Sequence, residues 1–303
     1  MKTILERLKG GEILVADGAM GTMLLEKGLQ PGECPESLNL TKPEILEEIA
    51  LLYFNAGAAI IQTNTFGASP MKLSGYGLEE KTEEINRSAV RIVRKVVGNR
   101  AYISGSCGPS GMILKPYGDA EPDLLYRGFE RQIKALVSAG VDIICVETMT
   151  DLHEALLAVK AAKTISPQTP VMATMTFEKT SRGFFTIMGV SINEAAHALQ
   201  KAGANIIGSN CGNGMENMIE IAREFKKITL QLRSGQASLP IVIQSNAGQP
   251  EIKDGLLSYP EAPEFFAEKT QELIDAGVAI IGGCCGTTPE YIRAIKKAIY
   301  KFE

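Results

Sequence analysis

The sequence reads as a single-domain α/β protein, a (β/α)8 TIM barrel. Three observations carry that expectation. Eight short runs rich in Val, Ile and Ala end in small or polar residues, a longer helical pattern follows each, and an Ala-Gly-x-x-Ile-Ile cadence recurs in NAGAAIIQTN, KAGANIIGSN and DAGVAIIGGC. Buried parallel strands read as nearly continuous apolar runs, and crossover helices separate them.

The eight runs are ILVADGA (13–19), AAIIQTNTFG (58–67), AYISGSCGPSG (101–111), VDIICVETMT (141–150), PVMATMTF (170–177), ANIIGSNCG (204–212), PIVIQSNAG (240–248) and VAIIGGCCG (278–286). Between them, apolar residues return at three and four spacing, as at Ile45, Ile49, Leu52 and Phe54 in KPEILEEIALLYFNAG. Gly57, Gly140, Gly203 and Gly277 each stand just before a strand, where a helix closes on a left-handed residue. A doubly wound sheet is the competing architecture, weakened because no G-x-G-x-x-G follows the first strand. No linker interrupts the pattern, so residues 1–303 are taken as one domain.

Three connections exceed the usual two to six residues: 18–42, 108–122 and 177–191. All follow the carboxyl ends of strands, the face where barrel enzymes place substrate. The third is expected to expose its aromatic residues and Met188.

The 303 residues carry 31 Lys and Arg against 35 Asp and Glu, a net charge of −4. That balance, without a long basic run, argues against a nucleic-acid partner. The first residues lack the apolar core of a signal peptide and no stretch of eighteen apolar residues occurs, so a cytoplasmic protein with reduced thiols is expected and no membrane partner. With only two histidines, His153 and His197, neither near a hydrolase motif, a His-centred triad has little to be built from.

The strand tips hold Asp17, Thr63 with Asn64, Cys107, Glu147, Thr176, Asn210 with Cys211, Asn246, and Cys284 with Cys285. In a barrel these groups face one cavity. Cys211 ends the sixth strand, and the adjacent pair ends the eighth among Gly282, Gly283 and Gly286. Neighbouring sulfurs on tetrahedral zinc lie roughly 3.8 Å apart. Adjacent cysteines reach that only if the backbone turns, which the glycines permit. Three thiolates leave one position open and give the ion a net charge of −1. Such a site activates bound water poorly, but holds a substrate thiol as a still-nucleophilic thiolate, favouring alkyl transfer to sulfur. The bland alternative is a tight turn with three packing cysteines.

Cys145 shares a strand face with Glu147 and is expected one layer below the rim, with Cys107 near the pocket. Asp17 and Glu147 suit an α-ammonium, and the amides of GAMG after Asp17 suit an α-carboxylate. Asn210 and Asn246 read equally well as substrate contacts and as turn or cap residues.

With these residues in view, DGAMGT (17–22), TNTFGAS (63–69), GPSG (108–111), ET (147–148), SNCG (209–212), SNAGQP (245–250) and GGCCGTTPE (282–290) resemble the homocysteine S-methyltransferase family over nearly the whole chain. Within it, the likeness is nearest the N-terminal homocysteine-binding module of cobalamin-dependent methionine synthases. The resemblance implies Zn2+ bound by Cys211, Cys284 and Cys285, with the homocysteine thiolate as fourth ligand. It also implies that Asp17 and Glu147 hold the amino-acid end of homocysteine, with Gly18, Ala19 and Thr63 nearby and Asn246 at the pocket wall, where it helps to orient zinc ligands or substrate. The thiolate would attack an activated methyl group and yield methionine.

Ser245 stands where relatives commonly have proline, and FEKTSRGFFTIMG is a distinctive version of its loop. The sequence ends at Glu303 without a folate, cobalamin or reactivation domain, so a separate donor is expected. A methyl-corrinoid on another protein is the first expectation. The alternatives are a small donor (a betaine or S-methylmethionine), methyl transfer in the reverse direction onto a corrinoid protein, and a non-catalytic zinc and thiol binder.

Overall fold

Eight parallel strands form one ring in the computed structural model, which describes residues 2–231, 239–253 and 256–300. They are β1 Leu14–Val15, β2 Ile60–Gln62, β3 Tyr102–Cys107, β4 Ile143–Met149, β5 Val171–Met175, β6 Ile206–Asn210, β7 Ile241–Ser245 and β8 Val278–Gly283. All eight fall inside the runs read from sequence. Each pairs with its sequence neighbours, and β8 pairs back onto β1. The seam between β1 and β2 is joined by a parallel bridge at Ala16 and Ile60, with Ala59 N–H donating to Val15 O at 2.7 Å and Asp17 N–H to Ile60 O at 3.1 Å. This is the (β/α)8 barrel expected.

The outer helices are α1 Pro43–Ala56, α2 Thr82–Val97, α3 Pro122–Ala139, α4 Leu152–Ile165, α5 Ile192–Ala202, α6 Met215–Gln231, α7 Pro263–Asp275 and α8 Pro289–Tyr300. In α1 the buried stripe is Leu46, Ile49, Ala50 and Tyr53, with Ile45 and Leu52 at its margins. Gly57 closes this helix at φ 102°, a conformation costly to any residue with a Cβ.

The period of two sorts strand residues between two cores. Leu14, Ala16, Ile60, Tyr102, Ile143, Cys145, Met172, Ile206, Val242 and Ile280 fill the barrel, and Ile4 and Leu8 close its lower end from the helix Ile4–Lys9. Val15, Ile61, Ile103, Cys107, Ile144, Val146, Ala173, Ile207, Ile243 and Ile281 point outward against the helices. Cys107 therefore does not approach the pocket: it is an odd-numbered residue of β3, fully buried beneath the helices, and Ser106 faces inward in its place.

Residues 18–42 contain a short helix, Met20–Glu26, and two further turns of helix at Pro35–Ser37 and Leu38–Thr41. Two antiparallel hairpins were not apparent in the sequence: Glu178–Thr180 with Gly183–Phe185, and Glu251–Lys253 with Leu256–Ser258. The first overturns the expectation of exposed aromatics. Phe177 packs edge-on against Phe225 at 6.0 Å and Phe184 is buried, which leaves Ile187 and Met188 as the exposed apolar residues of that loop.

Candidate functional site

The strand ends enclose a cavity of about 270 Å3. Gly18, Ala19, Thr63, Glu147, Cys211, Cys284 and Cys285 line it, together with Gln62, Ser106, Thr148 and Gln244, and an apolar side formed by Met20, Leu24, Pro35 and Phe66. Asp17 and Asn246 are buried just behind this lining, and Asn210 lies beneath Thr148 and Cys284.

Backbone geometry brings the three cysteines together. Cys211 has φ 62°, and Thr148 φ 58°; among the described residues no other non-glycine residue lies in the left-handed region. Such strain costs roughly 1–3 kcal/mol and persists where surrounding contacts enforce it. Here Cys211 N–H donates to Gln244 O at 3.1 Å, turning the side chain off β6 toward β8. On the other side, Cys284 N–H donates to Ser245 O at 2.7 Å, and Ala247 N–H to Cys285 O at 2.9 Å, so the β7 loop clamps the cysteine pair. Gly286 follows at φ 80°. The Cys211 and Cys285 sulfurs stand 3.7 Å apart, and all three sulfurs lie within 4.8 Å of one another. These separations fit the edges of a zinc–thiolate tetrahedron, and the soft donor set suits that metal.

Charge supports the same reading. Hydrogen bonds from Cys211 and Cys284, together with the Tyr259 hydroxyl, hold the Cys285 thiol far below its usual range, while Cys211 and Cys285 push the Cys284 thiol up. A thiol held low beside two others suits a divalent cation, which would draw off the remaining protons. Around it stand Glu147, Glu36 and, behind the wall, Asp17. No Lys, Arg or His lines the cavity among the described residues. Cationic partners are what the site lacks.

Burial pushes Asp17 up to about 8, opposed by the Gln62 N–H that donates to its Oδ2 at 2.7 Å and reinforced by nearby Glu147. The other oxygen, Oδ1, is buried with no hydrogen-bond partner. Burial also raises Glu147 to about 7, against the Ser106 hydroxyl that donates to it.

Asn210 connects these parts. Its Oδ1 accepts from Thr148 N–H at 2.8 Å and from the Thr174 hydroxyl at 2.7 Å. Its Nδ2 donates to Thr148 Oγ1 at 2.7 Å and faces Glu147 Oε2 at 3.5 Å and Cys284 Sγ at 3.8 Å. It therefore braces the site and is not a helix cap. Asn246 holds the loop through its N–H to Asn213 O at 3.0 Å, and its Oδ1 has no partner. On the β1 side, the Tyr53 hydroxyl lies 3.1 Å from both Ala19 O and Thr287 O, and Thr287 Oγ1 donates to Cys284 O at 2.7 Å. Tyr53 thereby fastens the GAMG turn to the cysteine loop.

Sequence reasoning did not single out Gln62, Ser106, Thr148, Thr174, Gln244, Tyr53 or Tyr259. For the first two and for Gln244 a signal existed, since they share strand parity with Ile60, Tyr102 and Val242. Tyr53 and Tyr259 come from a helix and a loop, and only the tertiary structure brings them in.

At the mouth of an eight-stranded barrel, three thiols thus stand over a cavity with acidic side chains and, among the described residues, no Lys, Arg or His in its lining, a donor set that could hold a metal ion beside a small cationic molecule. The chain belongs to the homocysteine S-methyltransferase family, which it matches over residues 14–299. It is 32% identical over 304 aligned positions to the methionine synthases of Mycobacterium leprae and Mycobacterium tuberculosis, covering 95% of this chain. The chain spans only 24% of the length of those relatives. Among solved structures, the metallated form of the homocysteine methyltransferase MmuM from Escherichia coli superposes with a TM-score of 0.78 at 23% identity, covering 96% of this chain and 98% of that one, a likeness of fold. Among the described residues no helix is long and apolar enough to cross a membrane.

Proposed function

We propose that the chain, as one homocysteine-binding barrel over residues 1–303, is a cytoplasmic zinc-dependent methyltransferase. In this reading it converts homocysteine to methionine with a methyl group from a methyl-corrinoid. The observation that carries the reading is the convergence of Cys211, Cys284 and Cys285 with Glu147 on one cavity that has no basic lining residue among those described.

The three cysteines would hold the zinc ion. Bound there, zinc stabilises a substrate thiol as thiolate at neutral pH while the electron-rich sulfur ligands preserve its nucleophilicity. Glu147 and Asp17 take the α-ammonium group, which relieves two buried carboxyls of their desolvation. Gly18 and Ala19 supply the turn beside the α-carboxylate, and Thr63 packs next to it. Asn210 and Asn246 keep the walls in register. The substrate sulfur attacks the methyl carbon, the new S–C bond forms as the methyl-to-donor bond breaks, and the electron pair leaves with the donor.

The donor side is apolar. Phe66, Met112, Ile113, Tyr117, Ile187 and Met188 are exposed on loops that follow β2, β3 and β5, around the mouth. Exposed apolar residues on three loops at the mouth suit a macromolecular partner better than a small charged donor.

Zinc-loaded protein mixed with homocysteine and either methylcobalamin or a methylated corrinoid protein is expected to form methionine. Betaines and S-methylmethionine should support little. Turnover with a small donor alone would refute the corrinoid assignment, and no turnover with any donor would favour a binding module.

A further inference from the structure

Gln244 sits at the same height as the acidic groups but has no role in the reading above. It lies on β7 with its side chain turned into the barrel, paired in register with Gly282 of β8. A Cβ at position 282 would come 2.8 Å from Ala16 Cβ and 3.2 Å from Gln244 Cγ. The two small inward residues, Ala16 and Gly282, thus leave the space into which the Gln244 side chain fits, beside the Asp17 carbonyl. The side chain lines the cavity, is 3% exposed, and has its Oε1 buried with no donor. Asp17 Oδ1, on the far side of β8, is in the same condition.

A buried carbonyl oxygen without a donor forfeits its hydration with nothing in return, and a native structure that keeps one calls for an explanation. An unpaired Gln244 Oε1 in the cavity wall, with the Asp17 carboxyl just behind it across β8, points to a ligand that brings N–H groups. An α-amino acid offers them only at its ammonium group, since its carboxylate and a metal-bound sulfur have no hydrogens to donate. An ammonium has three N–H bonds. Asp17 and Glu147 account for two of them.

We propose that Gln244 is the third acceptor for the substrate ammonium and so sets the preference for an amino-acid thiol over thiols that lack the amine. This rests on the homocysteine reading, and its test separates the two. Calorimetric titration of the zinc-loaded protein would use three thiols: homocysteine, 4-mercaptobutanoate, which lacks the amine, and 3-mercaptopropylamine, which lacks the carboxylate. In Gln244→Met the affinity for homocysteine and for 3-mercaptopropylamine is expected to fall roughly tenfold, with that for 4-mercaptobutanoate unchanged. Gln244→Glu, which keeps an acceptor, should restore most of the loss. Gln244→Asn, which withdraws the amide by one methylene, repeats the test should methionine disturb the barrel.

An unchanged preference for homocysteine in these variants, in a wild-type protein that does discriminate, would overturn the role of Gln244 alone. An equal loss for 4-mercaptobutanoate would also overturn it. If the wild-type protein binds homocysteine and 4-mercaptobutanoate equally, the ammonium pocket of Asp17 and Glu147 falls, and this proposal with it.

Discussion

Cys211 and Cys285, 74 positions apart in the chain, hold their sulfurs 3.7 Å from each other at the mouth of the barrel. The contact exists because Cys211 adopts φ 62° at the end of β6 while the β7 loop fixes the cysteine pair of β8. Nothing local to either segment enforces it. The strain is held by the ring of strands.

The purified protein should contain about one zinc per chain, and Cys211→Ala, Cys284→Ala and Cys285→Ala should each lose most of it. Metal analysis after dialysis decides this. Full retention of zinc in all three variants would exclude the site.

Replacing Glu147 with Gln should weaken homocysteine binding by roughly tenfold or more, because one charged partner of the ammonium is lost, and leave the zinc content unchanged. Titration of the zinc-loaded variant with homocysteine measures it. An affinity equal to the wild type would take Glu147 out of the ammonium role.

Zinc-edge X-ray absorption should report a fourth sulfur neighbour when homocysteine is added, replacing a lighter ligand. A spectrum with no added sulfur would contradict thiolate activation.

Asp17 and Glu147 should contribute stability that the metal-free protein loses as pH rises from about 4 to about 8. Asp17, raised by burial to about 8, and Glu147, raised by burial to about 7, keep protons in the folded chain that carboxyls in the unfolded chain have already released near pH 4. At these two carboxyls the folded state binds more protons across that window, so their contribution favours unfolding as pH increases, against the opposite contribution of the Cys285 thiol, which is held low. Homocysteine affinity should move the other way, tightening through pH 7 to 8 as the carboxylates form. Denaturation of the metal-free protein between pH 5 and 8.5 tests the first part, and an identical slope in Asp17→Asn would refute it.

A Cβ at Gly208 would lie 1.8 Å from the backbone oxygen of Val242 on the neighbouring strand. Gly208→Ala should therefore destabilise the barrel by about 3 kcal/mol or more, since backbone cannot step aside as a side chain does. Thermal denaturation measures this, and a melting temperature within a degree of the wild type would show that the strands part more easily than their packing suggests.

The sequence by itself determined the ring of strands, because apolar runs buried on both faces and separated by amphipathic helices admit few other arrangements. It also determined which thiols meet, since Cys211 and the pair at 284 and 285 end strands on one rim. Parity along β4 put Cys145 below Glu147, and the same rule on β3 excludes Cys107, which faces the helices. What only the tertiary structure decided were the contacts between elements distant in the chain: Tyr53 tying Ala19 to Thr287, Asn210 reaching Thr148 and Thr174, and Gln244 lying in the gap left by Gly282. Periodicity tells which face a side chain takes, but hydrogen-bond partners and unpaired buried oxygens depend on distances across the barrel that are fixed only when it closes.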